Sequence, residues 1–327
     1  MIMTNSPVFA VGMMLAGLAA GTAWYAARLR KEGLPVRAAL LSAAIGSLLA
    51  LVCAKVCFLL HDLGSNLMEG YYDEVLSLDP AALSFTGGCF GFVAGTALSA
   101  RLCHVRTAKA LDLFAAPGCL FLFFARAAEA GMDSVGMGNE VTADWLKFFP
   151  LTMQNNWGDH YLCVFFLEAV TALVCLTQAL RTYPGAPEGT VMRRTAVCLL
   201  SVQICWEMFL QYPYIRAFVT SFVSLEQVLC GAALLALMIA GCIRNGKWWA
   251  VAAAAALLGV SAFFQFMRDN KIEFMFEEGW EWLLDNAQPV SLAAFVLVSA
   301  GLMFAGLKAV TADAGSGRRN CNGKSPE

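Results

Sequence analysis

Nine apolar runs of about 20 residues, separated by short charged segments, constrain this chain more than any other feature. They fall at roughly 8–27, 38–60, 85–103, 109–127, 160–180, 195–212, 221–243, 248–267 and 289–308. A helix rises about 1.5 Å per residue, so each run nearly matches a hydrocarbon core of roughly 30 Å. Lipid satisfies no backbone polar group, which leaves helices as the way for such runs to cross. Only 14% of residues are charged, against about 25% in soluble domains, and 59% are hydrophobic. The expected fold is an all-α polytopic membrane protein with about nine transmembrane helices.

Charge alternates between the loops. Arg28, Arg30, Lys31 and Arg37 follow the first run, and Glu69, Asp73, Glu74 and Asp79 follow the second. Arg101, Arg106 and Lys109 follow the third, and acids dominate 128–159. Arg181, Arg193 and Arg194, then Arg244 and Lys247, continue the basic series, and the segment 268–286 is acidic overall. Lys and Arg mark the cytoplasmic side. Nine spans with the N-terminus out and the C-terminus in satisfy every loop. Residues 1–7 lack a basic region, so the first run reads as a retained helix, not a cleaved signal.

Loops 61–84 and 128–159 exceed simple connectors, and Trp145, Phe148, Phe149 and Trp157 suit a headgroup belt. Segment 268–286 places Ile272, Met275, Phe276, Trp280, Leu283 and Leu284 at helical spacing, the pattern of an amphipathic interfacial helix. From Thr311 the composition is that of a disordered tail. Eleven of the 12 Cys lie in or beside the apolar runs, without CxxC pairs, and His61, His104 and His160 are scattered. No metal, cofactor or nucleic-acid partner is expected.

Ionisable groups at hydrocarbon depth usually face partners or a wet cavity. The candidates are Lys55, Asp112, Arg126, Glu168, Glu207 and Glu226. Arg126–Glu207 is the first expected ion pair. Asp112 has the position of a helix N-terminal cap. Gly87, Gly91 and Gly95 share one helix face, beside Gly88, which suits either close helix packing or approach of a lipid headgroup.

Several ordered blocks resemble the prolipoprotein diacylglyceryl transferase family. Ser84, Phe85, Gly87, Gly88, Gly91 and Gly95 match its Ser-Phe-His-Gly-Gly block and spaced glycines. Leu111, Asp112, Ala116 and Pro117 match Leu-Asp-x-x-Ala-Pro, and Arg126 falls at the family's phospholipid-binding Arg. Ser224 and Gln227 resemble its penultimate block, and Glu207 lies where the family has a Glu. The chain departs from the pattern where Thr86 replaces a His, Glu129 an Asn, and Gln203 and Gln211 two Arg.

The resemblance covers about residues 8–243. It implies a seven-helix domain over 1–243, followed by two additional membrane helices over 244–310 and the tail 311–327. It also implies transfer of a diacylglyceryl group from phosphatidylglycerol to a lipobox cysteine in a multi-pass bacterial plasma-membrane protein. Membrane lipid and prolipoprotein signal peptides would be its partners. Substrate contacts would fall to Arg126, Gly87, Gly88, Glu207, Gln203 and Thr86, and base chemistry to Glu129 or His160. The missing family residues favour an alternative, a non-catalytic phospholipid-binding or assembly protein on the same fold.

Overall fold

A computed structural model describes residues 6–69, 83–132, 136–141, 144–154, 158–210, 223–270 and 287–311. Among these are nine helices, one for each apolar run: α1 Pro7–Lys31, α2 Arg37–Glu69, α3 Phe85–Leu102, α4 Thr107–Ala128, α5 Val164–Thr182, α6 Thr190–Trp206, α7 Leu225–Asn245, α8 Trp248–Asn270 and α9 Ala287–Val310. Seven are long and apolar enough to cross a membrane, making this a multi-pass membrane protein; the exceptions are α3 and α6. The amphipathic segment lies outside the described residues from 271 onward. So do residues 70–82, Trp157, Gln211 and the chain beyond Thr311.

Helices consecutive in the chain alternate in direction. At one end of the bundle, Ser6 N donates to Gly131 O (2.9 Å), joining the start of α1 to the turn after α4. At the other end, Lys109 Nζ at the start of α4 lies 2.8 Å from Glu32 Oε2, just past α1. Basic residues crowd that second end, here called the arginine end.

Helix α3 packs on α2 through its glycine face. A Cβ on Gly87 would lie 2.8 Å from Cys53 O, and one on Gly95 2.5 Å from Gly46 Cα. One on Gly91 would run into the Leu49 carbonyl. The stripe thus brings two backbones together, the close-packing arrangement of small residues. Gly88 sits off this face, and its nearest neighbour would be Ala54 Cβ at 3.7 Å. Ser42 Oγ and Thr96 Oγ1, 2.6 Å apart, add a polar tie between the same helices.

Helix α6 is the short central rod. Its 17 residues span about 25 Å. None of them is exposed. It packs against α5, α7 and α9, and touches α4. Asp112, inside α4, accepts from Gly189 N (2.5 Å) and Met192 N (2.8 Å), so it caps α6 and not its own helix. At the opposite end α6 stops in a single 3-10 turn, Glu207–Phe209. The last two helices are not set apart from the rest. Val298, Leu302 and Ala305 of α9 and Ala254 of α8 share one core with Val197, Ile204, Leu234 and Met238 of α6 and α7.

At the opposite end from the arginines, a small ribbon covers the helix ends. Strand β1 (Thr152–Gln154) pairs antiparallel with β2 (His160–Leu162). Residues 136–141 run alongside it. Gly138 N donates to Leu162 O (2.7 Å) and Asn139 N to Phe209 O (3.0 Å). Trp145, Phe148 and Phe149 stay exposed on this cap, in keeping with an interfacial position.

At the arginine end, Glu32 accepts from Tyr183 Oη (2.7 Å) and pairs with Lys109. The Lys109 hydrogen bond, and then that from Tyr183, hold the Glu32 carboxyl below the usual carboxylate range. A lowered folded-state pKa gives stability that is complete above the unfolded value and lost as pH falls through the folded one. The site is partly exposed, so the contribution is small. Detergent thermal scans of the parent chain are expected to show a shallow decline in Tm below about pH 5 to which Glu32 contributes, and Glu32→Gln is expected to lessen it. In the same assay Gly91→Ala should cost about 1–3 kcal/mol by forcing α2 and α3 apart, with Gly88→Ala close to neutral.

Candidate functional site

Under the ribbon, five helix ends contribute polar side chains to one buried network. Arg126 comes from the last turn of α4, Glu129 from the turn after it, and Glu168 from the start of α5. Gln203 and Glu207 come from the end of α6, Ser224, Glu226 and Gln227 from the start of α7, and Ser84 to Thr86 from the start of α3.

Arg126 is the hub. Its Nη1 donates to Glu129 Oε1 (2.7 Å) and its Nη2 to Glu168 Oε1 (3.1 Å). Its Nε lies 2.8 Å from Glu168 Oε2, close enough for an ion pair but not aligned for a hydrogen bond. The guanidinium also stacks on Phe85, 3.3 Å from the ring centre. Glu129 Oε2 is left without a hydrogen-bond partner among the described residues and points at Gly136. Gly136 has φ +69°, and a Cβ there would run into that oxygen. Glycine is therefore required twice at this position, once for the backbone and once for the space.

From Glu168 the network continues. Gln203 Nε2 donates to Glu168 Oε1 (2.7 Å) and to Glu207 Oε1 (3.0 Å). Ser224 Oγ donates to Glu207 Oε2 (3.4 Å). Ser224 and Gln227 form a reciprocal capping box at the start of α7. Gln227 Nε2 then donates to Gln265 Oε1 of α8 (2.8 Å). On the α3 side, Glu226 accepts from Ser84 Oγ (2.6 Å) and Thr86 N (3.1 Å), so a carboxylate sits at a helix N-terminus.

Arg126, Glu129, Glu168, Glu207 and Glu226 are each no more than 8% exposed. Among the described residues, the buried guanidinium pairs directly with two of these carboxyl groups, Glu129 and Glu168, while Glu207 and Glu226 are held by neutral donors. The expected Arg126–Glu207 pair is replaced by Arg126 with Glu129 and Glu168, and Glu207 is reached through Gln203. The reason is position: Glu168, near the start of α5, faces the last turn of α4, and Glu207 is one helix farther on.

The remaining sequence candidates divide. Thr86, Gln203, Glu207 and Glu129 all join the network. Gly87 faces α2, and Gly88 lies beside it. His160 is in β2, where its ring is 3.3 Å from Thr152 Oγ1, and none of its described hydrogen bonds reaches the Arg126 cluster. Gln265 was not singled out from the sequence, although a lone amide inside the run "SAFFQF" is the signal that marks it. Neither a protein-family model nor a curated protein matches this chain.

Removing one member of a buried ion pair costs about 3–5 kcal/mol, because the partner charge is stranded. Arg126→Leu should destabilise by about that much. Arg126→Leu combined with Glu168→Leu should recover part of the loss, a coupling readable from a double-mutant cycle on thermal unfolding in detergent.

Proposed function

We propose that this chain is a divergent diacylglyceryl-transferase-like enzyme that moves a diacylglyceryl group from phosphatidylglycerol to the lipobox cysteine of a prolipoprotein. One observation carries the reading. Residues that the family resemblance names in four separate stretches, Ser84 to Thr86, Arg126 with Glu129, Gln203 with Glu207, and Ser224 with Gln227, converge in one buried cluster. The loop charges support an orientation with the N-terminus and this cluster on the outer side of a bacterial plasma membrane. Lipobox cysteines are accessible there.

In this reading the cysteine sulfur attacks the glyceryl carbon that carries the phosphate. The sulfur–carbon bond forms as the carbon–oxygen bond breaks, and glycerol phosphate leaves with the bonding electrons. Glu129 takes the thiol proton, since a thiolate is the reactive form and, of the two carboxyl oxygens without a hydrogen bond among the described residues, Glu168 Oε2 lies against Arg126 Nε while Glu129 Oε2 does not. Arg126 receives the departing phosphate by exchanging a carboxylate for it, a bidentate recognition suited to guanidinium. With His160 bonded to Thr152, Glu129 is the better base.

A second reading rests on the same Arg126. Glu129 and Glu168 already hold its two terminal nitrogens, and Phe85 covers its face, which suits a non-catalytic phospholipid-binding or assembly protein. The two readings separate in one assay. Purified protein is incubated with phosphatidylglycerol and a lipobox peptide, and thioether product and glycerol phosphate are measured. The enzyme reading expects both products in wild type and their loss in Glu129→Gln with lipid binding retained. Turnover no higher than a detergent blank, with lipid still bound, selects the second reading. Absence of lipid binding as well would overturn both.

A further inference from the structure

The arginine end holds a second polar feature, unconnected with the cluster above. Helices α5, α6, α7 and α9 leave a cavity of about 900 Å³ between their ends. That volume lies in the range of small-molecule sites, about 300–1,000 Å³. Four guanidinium groups line it, those of Arg181, Arg193, Arg194 and Arg244. The carboxylate on its wall, Glu188, is already held by Arg106 at 3.1 Å. Asp112, the nearby acid on α4, is committed to the backbone of α6.

Two features make this lining unfavourable unless an anion is present. Arg193 and Arg194 follow closely on the start of α6 at Thr190, where the helix dipole is already positive. Arg193 Nε is taken by Gly189 O (2.6 Å), but Arg194 Nε is buried with no partner among the described residues. Like charges around a volume that no described residue fills, with a buried donor unmet among those residues, call for a ligand that supplies negative oxygens. The cavity also continues onto apolar surface. Val174 lines it and is 62% exposed, and Ile243, next to Arg244, is 71% exposed. A free phosphate would use the arginines and leave this flank bare. A phospholipid would use both.

We propose that this cavity binds the headgroup of an anionic phospholipid, with the phosphate between Arg193 and Arg194 and the acyl chains along the exposed face of α5. Basic pockets between membrane helices suit such headgroups, and each nearby Arg strengthens the attraction. The bound lipid would complete the join between α5, α6 and α7, where four cations otherwise repel one another.

Native mass spectrometry of the full chain in mixed micelles tests this. Phosphatidylglycerol and phosphatidylcholine are supplied at equal concentration, with inorganic phosphate in a separate arm. Wild type should retain the anionic lipid over the zwitterionic one by about tenfold or more. The double variant Arg193→Gln/Arg194→Gln should retain one phosphatidylglycerol fewer per chain than wild type, any lipid at the outer cluster being unaffected, and Arg101→Gln, an exposed arginine outside the cavity, should match wild type. Should the double variant not fold, Arg181→Gln with Arg244→Gln at the rim takes its place, with the same loss expected. No anionic preference in wild type would overturn the proposal, as would a number of retained phosphatidylglycerols unchanged in the cavity variants. Displacement of the lipid by millimolar inorganic phosphate would also overturn it, by making a soluble anion the occupant. Because every informative variant is at the arginine end, inactivity of the outer cluster would leave the result intact.

Discussion

A charged guanidinium out of water is tolerable only when its partners are fixed around it, and Arg126 imposes that condition on this bundle. It needs Glu129 from the turn after its own helix and Glu168 from the next helix, both at hydrogen-bonding distance. Glu168 in turn takes a further donor, which Gln203 supplies from α6. Satisfying one buried cation therefore sets the relative heights of α4, α5 and α6, and through Glu207 and Ser224 that of α7. Such a network adds specificity of arrangement more than net stability, since burying ions is itself costly.

The ribbon and the segment 136–141 belong to the same requirement. They lie over helix ends that would otherwise admit water to Glu129 and Glu207. Gly136 and Gly138 permit the close approach, because a side chain at either position would meet Glu129, Phe165, Val164 or Phe209. The cap is thus shaped by the polar atoms beneath it, although its own sequence, rich in Trp and Phe, reads mainly as interfacial anchoring.

The helices were largely legible in the sequence because a membrane span leaves a signal about 20 residues long. The partners of Arg126 were not. Spacing within one helix tells which residues share a face, yet it says nothing about the relative height of the next helix. From the sequence Glu207 looked the first partner for Arg126, and packing puts Glu168 there instead. Asp112 shows the same limit. Its position near the start of α4 suggested a local cap, and its carboxylate instead reaches across to α6. The glycine stripe was ambiguous for a different reason, since a surface cleared for a backbone and one cleared for a ligand have the same composition. The carbonyls of α2 resolve that for Gly87, Gly91 and Gly95.

Helix α6 carries a consequence for how the protein meets its bilayer. At about 25 Å it is shorter than a hydrocarbon core of roughly 30 Å. A helix this short at the lipid boundary would thin the bilayer or tilt its neighbours. Here α4, α5, α7 and α9 pack around it, none of its residues is exposed, and its two ends rest on Asp112 and on the Gln203–Glu207 pair. The mismatch is absorbed inside the protein, where a dry polar contact can stand at a depth that an exposed helix would have to fill with leucine.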